Sequence, residues 1–387
     1  MYNIKTLNKI SAVGLKEFDG EKYIVSDNAE AAEGILVRSA DMHSYDFNPE
    51  LVAIARAGAG TNNIPVADCT EKGIVVFNTP GANAEAVKEL AICAILMASR
   101  DVMGGVEWVR SISGEGSAIP KMVEKGKSRF VGPEIMGKTL GVIGLGAIGA
   151  KIANTALKLG MRVYGYDPYL SVEAAWQLSR DVKHALDLET IYKNCDYITL
   201  HVPYLQSTHH MINSDAVALM KDGARIINLA RGELVDDEAM KEALESGKIA
   251  KYVTDFPNAV TAGLPNVVPM PHLGASTPES EDKCAVMAAL ELMDYIENGN
   301  IRNSVNLPAV RLDRMGVSRL CVIHRNVPRT ITRVLDFIGE KNINVEHMIN
   351  KPRGEYAYTI IDAGDVITAD VADSISAMEE VLRVRVL

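Results

Sequence analysis

Three glycines and an aspartate give the clearest chemical signal in this sequence. Gly144, Gly146 and Gly149 follow a short apolar run at Leu140 to Ile143, and Asp167 ends a second run further on. A glycine turn between strand and helix lets the backbone approach a pyrophosphate, which the helix N-terminus then attracts. An aspartate about 20 residues later accepts hydrogen bonds from ribose hydroxyls and repels a 2′-phosphate. The pattern predicts NAD as the cofactor and disfavours NADP.

A histidine and an arginine follow other apolar runs and could support hydride transfer. Arg231 comes after Ala224 to Leu229, and His272 comes after Val267 to Met270. Histidine suits removal of a hydroxyl proton because its pKa lies near neutrality, and the arginine fork binds a carboxylate through two hydrogen bonds. Ligands of doubly wound sheets bind beyond the carboxyl ends of the strands. Both residues are therefore candidate catalytic groups, with a structural histidine and a solvated arginine as the alternatives.

A second set of polar residues follows strands predicted in the first hundred residues. Arg38 and Ser39 come after one apolar run, and Arg56 and Gly58 come after the next. Two arginines beside small residues could bind a phosphate or a second carboxylate of the substrate. We expect them to face the same cleft as the catalytic pair. Asn83 opens the following helix and is either a substrate contact or a helix N-cap.

The elements that would position these residues predict an α/β fold with a discontinuous first domain. Short strands alternate with helices through residues 1–98, and further strands recur up to about residue 270. A helix over Glu279 to Asn298 is long enough to return to the first domain. We predict a flavodoxin-like substrate domain of residues 1–98 and 283–308 around a Rossmann-type NAD domain of residues 99–282. Ser113 to Ser128 is expected to be a loop.

The C-terminal segment predicts a third, smaller domain. Residues 316–387 show the order strand, helix, strand, strand, helix, strand, which is typical of a ferredoxin-like module. This βαββαβ segment offers no evident catalytic chemistry of its own.

Composition excludes several classes of protein. A formal net charge of −10 opposes nonspecific binding to nucleic acid. The five cysteines include no C-x-x-C pair, so neither a zinc site nor a disulfide framework is indicated, and no metal ion is expected. The longest apolar run, Ala91 to Ala98, is too short to span a membrane, and no signal peptide is recognisable at the start. We therefore expect a cytoplasmic protein without a membrane or nucleic-acid partner.

The motifs together resemble the NAD-dependent D-isomer-specific 2-hydroxyacid dehydrogenases over nearly the whole chain. The matching segments are Arg38 to Ala40, Arg56 to Gly60, the glycine turn with Asp167, Asn228 to Asp236 and Pro271 to Thr277. The resemblance implies oxidation of D-3-phosphoglycerate to 3-phosphohydroxypyruvate, the first step of L-serine synthesis, in a homodimer or homotetramer.

The resemblance also assigns roles to individual residues. It implies that His272 acts as acid and base, that Arg231 orients the substrate, and that Asp255 lies against the nicotinamide. The implied substrate contacts are Arg38, Ser39, Arg56, Gly58 and Asn83. The implied cofactor contacts are Gly144, Gly146, Ala147, Ile148, Gly149, Asp167, His201, Val202, Pro203, Thr208, Ala230, Asp255 and Gly274.

The C-terminal segment resembles the serine-binding ACT module of this family. His324, Asn326 and Asn344 match its effector residues, which implies an L-serine site. Arg329 stands where the family has glycine in a turn, so a bulky side chain replaces a position of close backbone approach.

One departure from the family concerns the acid that normally pairs with the catalytic histidine. That glutamate is missing, and Asp255 is the only acid between Glu245 and Glu279. Either the histidine works without a carboxylate, or another acid or a water replaces it. Two functional alternatives follow: a dehydrogenase or reductase for another D-2-hydroxy acid, and an NAD-sensing regulatory protein with weakened catalysis.

Overall fold

The computed structural model describes residues 1–172 and 174–387, and their contacts divide the chain into two units. One unit comprises Met1–Asn83 and Pro278–Leu387, and the other comprises Ala84–Thr277. The first unit is thus interrupted by the second.

The strands of the chain form three sheets. The first sheet contains β1 (Tyr2–Leu7), β2 (Tyr23–Ser26), β3 (Gly34–Val37), β4 (Ala53–Arg56) and β5 (Val75–Phe77). The second contains β6 (Thr139–Ile143), β7 (Arg162–Tyr166), β8 (Lys183–His184), β9 (Tyr197–Leu200), β10 (Ala224–Asn228), β11 (Ile249–Thr254) and β12 (Val267–Pro269). The third contains β13 (Ser318–Arg325), β14 (Val345–Arg353), β15 (Tyr356–Ala363) and β16 (Val381–Val386).

Helices connect most of these strands. They are α1 (Ala12–Leu15), α2 (Val66–Glu71), α3 (Ala84–Ser99), α4 (Val102–Ser111), α5 (Ile119–Gly126), α6 (Gly149–Lys158), α7 (Val172–Ala175), α8 (Leu188–Asn194), α9 (Ser214–Leu219), α10 (Asp237–Glu245), α11 (Pro278–Asn298), α12 (Thr330–Gly339) and α13 (Ala369–Ser376). No described helix combines the length and apolar character that crossing a bilayer requires.

The first unit is built on a parallel sheet of order β2-β1-β3-β4-β5. Its inner strand β3 is apolar and buried along its whole length because both faces of the sheet are covered there, as parallel sheets require. Helix α11 buries Ala288, Leu292 and Tyr295 in the core that it shares with this sheet. All the parallel strands therefore end at one edge, where Arg38 and Arg56 lie.

The C-terminal antiparallel sheet belongs to the same unit. Its order, β14-β15-β13-β16, is that of the predicted ferredoxin-like βαββαβ module. Tyr358 and Cys321 extend the core around Tyr295, and Arg385 donates to the carbonyl oxygens of Tyr295 and Ile296. This sheet therefore packs against α11 rather than standing apart on a linker.

The second unit contains a parallel sheet of order β12-β11-β10-β9-β6-β7-β8. The chain runs outward from β6 through β7 to one edge and then from β9 to the other, as in a doubly wound fold. The point where the strand order reverses lies between β6 and β9, which places the glycine turn after β6 at the usual site of nucleotide binding.

Two expectations about local structure differ from the structure. The segment from Ser113 to Ser128, which was expected to be a loop, contains helix α5 between two 3-10 turns. Pro120 favours a helix start at this position, and no residue of the helix is buried. Helix α3 groups with the second unit, since Ala91, Ala94 and Ile95 are buried in that unit's core. The division therefore falls at residue 84, earlier than the predicted domain boundary at residue 98.

Candidate functional site

The glycine turn after β6 has the shape of a dinucleotide cradle. A Cβ at Gly144, where φ is +91°, would lie 2.5 Å from the His201 carbonyl oxygen, and one at Gly149 would lie 1.9 Å from the Gly144 carbonyl oxygen. Both positions thus require glycine for packing. A Cβ at Gly146 would meet no described atom within 4 Å. The space beside Gly146, at the start of α6, fits a pyrophosphate that approaches the backbone.

Asp167 is tied directly to this turn. Its Oδ2 accepts the amide hydrogen of Leu145 at 2.9 Å, and its Oδ1 accepts that of Tyr169 at 2.9 Å. The pairing of Ile143 with Tyr166 in adjacent parallel strands brings the acid and the glycines together. A carboxylate fixed in this way keeps lone pairs for ribose hydroxyls, so the residues present fit NAD.

The predicted contacts after β9 have internal partners of their own. His201 Nε2 lies 2.8 Å from Thr199 Oγ1, and burial lowers the pKa of His201 to about 3, so its ring is neutral at physiological pH. Thr208 Oγ1 donates to the Pro203 carbonyl oxygen at 2.8 Å and accepts from the Leu205 amide at 2.8 Å. These bonds shape the turn that follows Val202.

Arg231 and His272 both lie beside the ring of Phe256, a residue that was not predicted from the sequence. The rings of His272 and Phe256 lie 4.6 Å apart, and the Arg231 guanidinium lies 5.9 Å from the Phe256 ring centroid. Arg231 Nη1 also donates to the Ala230 carbonyl oxygen at 2.6 Å. Phe256 directly follows Asp255 at the end of β11, and this position at a strand end could have marked it as a candidate site residue. The aromatic ring thus brings the two candidate catalytic groups onto one side chain.

Asp255 is the acid associated with this pair. Strands β11 and β12 pair Thr254 with Pro269, so Asp255 and the segment leading to His272 leave the sheet side by side. Asp255 is only 2% exposed, and neither carboxylate oxygen has a hydrogen-bond partner of normal geometry among the described residues. Burial raises its pKa, while the charges of His272 and Arg231 and the amide of Gly274 oppose that rise. A buried carboxylate without such partners therefore interacts electrostatically with both His272 and Arg231.

The carboxyl edge of the first sheet is arranged differently, because its polar groups form hydrogen bonds and ion pairs with other residues of the chain. Arg38 Nη2 lies 2.7 Å from Glu281 Oε1. The amides of Ser39 and Ala40 both donate to Asn8 Oδ1. These amides are therefore not open donors for a substrate, and Asn8 is a further residue that the sequence reasoning missed. Its position directly after β1 was the available signal.

Arg56 is also held in place from within the first unit. Its Nε donates to Asn63 Oδ1 at 3.0 Å, and Asn63 Nδ2 donates to the Ala40 carbonyl oxygen at 2.8 Å. A Cβ at Gly58 would lie 2.4 Å from Arg56 Nη1, so the guanidinium needs glycine there. Asn83 Oδ1 is buried and accepts no hydrogen bond from the described residues, which is not the pattern of a helix N-cap.

The structure separates the predicted effector residues within the C-terminal sheet. Strand β15 lies between β13, which carries His324, and β14, which Asn344 precedes. The buried His324 ring contacts the Arg325 carbonyl oxygen at 2.8 Å and Thr359 Oγ1 at 2.9 Å, and burial lowers its pKa. Asn344 Nδ2 donates to Glu346 at 3.0 Å. One chain alone therefore does not assemble these residues into a pocket.

Asn326 and Arg329 complete this segment. Asn326 Nδ2 donates to the Gly354 carbonyl oxygen at 3.3 Å, and Arg329 has φ +71°. An arginine in the left-handed region is strained where glycine would be relaxed.

The described residues contain no group of three or more His, Cys, Asp or Glu side chains that could hold a metal ion.

Sequence comparison relates the chain to dehydrogenases and reductases. Residues 92–274 match the NAD binding domain of the D-isomer specific 2-hydroxyacid dehydrogenases. A hydroxypyruvate reductase of Thermotoga maritima is 39% identical over 264 residues, which cover 65% of this chain and 81% of that protein. A D-3-phosphoglycerate dehydrogenase of Methanocaldococcus jannaschii is 36% identical over 294 residues, 74% of this chain and 54% of that protein. The chain thus spans about half the length of the phosphoglycerate dehydrogenases it matches.

Structural comparison gives the same fold. D-2-hydroxyisocaproate dehydrogenase superposes with a TM-score of 0.65 at 25% identity, covering 79% of this chain and all of that one. NAD⁺-bound 3-phosphoglycerate dehydrogenase of Entamoeba histolytica superposes with a TM-score of 0.59 at 24% identity, covering 79% of this chain and 98% of that one.

Proposed function

Because the chain belongs to the D-isomer specific 2-hydroxyacid dehydrogenase family, with an NAD-binding domain, we propose that it oxidises D-3-phosphoglycerate to 3-phosphohydroxypyruvate. The observation that carries the proposal is the convergence of Arg231, His272 and Asp255 around Phe256 at strand ends of the nucleotide-binding sheet. A base, a carboxylate-binding cation and a buried acid are the groups that oxidation of a 2-hydroxy acid requires.

In the proposed reaction Arg231 and His272 have different tasks. Arg231 binds the substrate carboxylate and stabilises negative charge on the C2 oxygen. His272 takes the hydroxyl proton, so that the C2–O bond becomes a carbonyl. NAD, which the glycine turn and Asp167 would hold, would supply the acceptor for the hydride from C2. In the reverse direction His272 returns the proton to the carbonyl oxygen.

Asp255 takes over the task of the missing glutamate in this proposal. His272 becomes cationic when it accepts the proton, and a buried carboxylate that interacts with it favours that state. The same carboxylate is the residue that the family resemblance places against the nicotinamide. Asp255 therefore serves both the cofactor and the base.

The phosphate of the substrate is assigned to Arg38 and Arg56. Arg38 follows β3 and Arg56 is the last residue of β4, and arginine forks match phosphate oxygens well. A second candidate is reduction of a non-phosphorylated acid such as hydroxypyruvate. The ion pair that Arg38 already makes with Glu281 favours this alternative, as does the similarity to the reductase of T. maritima.

The proposed activity is tested by NADH absorbance at 340 nm. D-3-phosphoglycerate with NAD is compared with its L-isomer, and hydroxypyruvate with NADH is measured in parallel. Turnover with the D-isomer alone is expected. Turnover of hydroxypyruvate but not of D-3-phosphoglycerate would establish the reductase instead. Silence of every substrate between pH 7 and 10, with NADH still bound, would establish an NAD-sensing protein.

The remaining parts of the proposal concern regulation and assembly. The C-terminal module is proposed to be an ACT-type domain, and the protein a cytoplasmic homodimer or homotetramer. The wide separation of His324 from Asn344 within one chain fits an effector site completed by a second copy. L-serine, but not D-serine, should then raise the melting temperature of the oligomer, and equal melting curves would exclude serine as the effector.

A further inference from the structure

An ion pair joins a proposed substrate residue to a helix far along the chain. Arg38 follows β3, and Glu281 lies in the first turn of α11. Arg38 Nη2 and Glu281 Oε1 are 2.7 Å apart, and the two side chains are 38% and 42% exposed. A guanidinium that is proposed to bind a substrate phosphate is thus already paired with a carboxylate.

The position of Glu281 favours a negative charge for a second reason. Helix α11 is 21 residues long, and the positive end of its dipole lies at the turn that carries Glu281. Asp282, directly after this turn, accepts a hydrogen bond from Ser11. Of the carboxylates in the turn, Glu281 is the one that pairs with Arg38 among the described residues. Its carboxylate therefore lies where both Arg38 and the helix dipole favour a negative charge.

We propose that Glu281 is a specificity-determining residue of the substrate site, which competes with anionic substrate groups for Arg38. This inference rests on the proposed function only in the identity of the substrate. A phosphate that reaches Arg38 must displace the carboxylate or accept its repulsion. A substrate without a second anion leaves the ion pair intact. Glu281 consequently weakens binding of phosphorylated acids and leaves binding of non-phosphorylated acids unchanged.

The expected effect is moderate because both side chains are partly exposed. Water and salt screen the interaction, so the removal of one like charge is worth about tenfold in affinity rather than several orders of magnitude. Glu281→Gln keeps the size and the hydrogen-bonding oxygen of the side chain and removes only its charge. Glu279→Gln removes a charge from the same helix turn, and Glu279 forms no ion pair with Arg38 among the described residues. It is the matched control.

Binding of inorganic phosphate to the full chain tests the proposal without any turnover. Isothermal titration calorimetry is run at constant ionic strength on the wild type, Glu281→Gln, Glu279→Gln and Glu281→Gln with Arg38→Met. The dissociation constant is expected to fall about tenfold in Glu281→Gln and to stay at the wild-type value in Glu279→Gln. The double variant should lose the gain. Melting curves confirm that each variant is folded.

Other outcomes overturn the proposal. Equal affinities for phosphate in the two single variants would show that Glu281 does not compete at Arg38. Weaker binding in Glu281→Gln would show that the ion pair prepares Arg38 for the anion. Retention of the gain in the double variant, or no phosphate binding in any protein, would also exclude competition at Arg38.

Substrate kinetics separate this inference from the proposed function. If the protein oxidises D-3-phosphoglycerate, its KM should fall in Glu281→Gln while kcat and the KM for D-glycerate stay constant. If no variant uses D-3-phosphoglycerate but phosphate binding changes as expected, the proposed substrate is wrong and the role of Glu281 stands. If D-3-phosphoglycerate is used and its KM is unchanged, the role of Glu281 is wrong and the function stands.

Discussion

The two parallel sheets of this chain present opposite kinds of carboxyl edge. At the edge of the seven-stranded sheet, Gly146 faces open space and the Asp255 oxygens lack hydrogen-bond partners of normal geometry among the described residues. At the edge of the five-stranded sheet, Arg38 is paired with Glu281, and Asn8 accepts the amides that follow β3. One edge is prepared for a ligand, whereas the other satisfies its own polar groups.

This difference separates binding from stability. A polar group that is buried without a partner destabilises the fold, because it loses its water on folding and gains no hydrogen bond. The same group strengthens ligand binding, because that loss of water does not have to occur again when the ligand arrives. Groups with internal partners stabilise the fold and must exchange partners when a ligand binds. Substitutions at the open edge should therefore reduce function more than stability, and those at the occupied edge should do the reverse.

The largest effect on turnover is expected at the open edge from His272→Asn. Loss of the base should lower kcat about 10²- to 10⁴-fold, because proton transfer then depends on water. The affinity for NADH, measured by fluorescence titration, should stay within about twofold of the wild-type affinity. Activity within threefold of the wild type would remove His272 from the mechanism.

Asp255→Asn should separate function from stability. Loss of the charge that supports the His272 cation is expected to lower kcat/KM about ten- to a hundredfold, the usual value of a charge-assisted contact. Burial raises the pKa of Asp255, so the folded state binds its proton more tightly than the unfolded state does. Stability is therefore lost as the pH rises from the ordinary value of about 3.8 through the raised value.

At pH 7 the asparagine variant should consequently be more stable than the wild type, as urea unfolding would show, and this difference should disappear below pH 4. The pH profile of kcat/KM should also move in Asp255→Asn. An unchanged profile together with unchanged stability would mean that Asp255 interacts with neither His272 nor Arg231.

A pair of alanine substitutions tests whether the glycine cradle is open. Gly146→Ala should leave the melting temperature unchanged, since no described atom lies near the added methyl group, and should weaken NAD binding about tenfold or more. Gly149→Ala should reduce stability by about 1–3 kcal/mol as well, because its Cβ meets the Gly144 carbonyl oxygen. Equal NAD affinities in Gly146→Ala and the wild type would place the pyrophosphate elsewhere.

The smallest effect on turnover is expected from Asn8→Gly at the occupied edge. Glycine tolerates the φ of +67° at this position, so the substitution removes only the side chain that accepts two amides. The fold should lose about 1–3 kcal/mol in urea unfolding. NADH affinity should not change. A variant that is as stable as the wild type would show that the amides of Ser39 and Ala40 find other partners.

The sequence predicted the open edge better than the occupied one for a physical reason. The turn from Gly144 to Gly149 is determined by neighbouring residues, since tight turns and close backbone approach need glycine whatever the rest of the chain does. The contact between Arg38 and Glu281 joins residues that meet only once α11 returns to the first sheet. Local patterns carry no information about such a pair, and the same holds for the placement of Phe256 between Arg231 and His272.

The secondary structure follows the same division. Most strands from β3 onward were predicted from their apolar runs, as was the βαββαβ order of the C-terminal segment, but the short exposed β8 was not. Strands β1 and β2 were not predicted either, since β1 buries only Ile4 fully and the edge strand β2 buries only Tyr23. Helix α5 was missed because its apolar residues, Ile119, Met122 and Val123, lie in a segment rich in glycine and lysine and none of them is fully buried.

The proposed function is tested most directly by the preference for a phosphorylated substrate. One preparation of the protein is assayed with NAD and either D-3-phosphoglycerate or D-glycerate, and NADH formation is followed at saturating cofactor. The proposed binding of phosphate by Arg38 and Arg56 predicts a kcat/KM for D-3-phosphoglycerate at least about tenfold higher than that for D-glycerate, equivalent to about 1.4 kcal/mol. An equal or lower value for D-3-phosphoglycerate would contradict it.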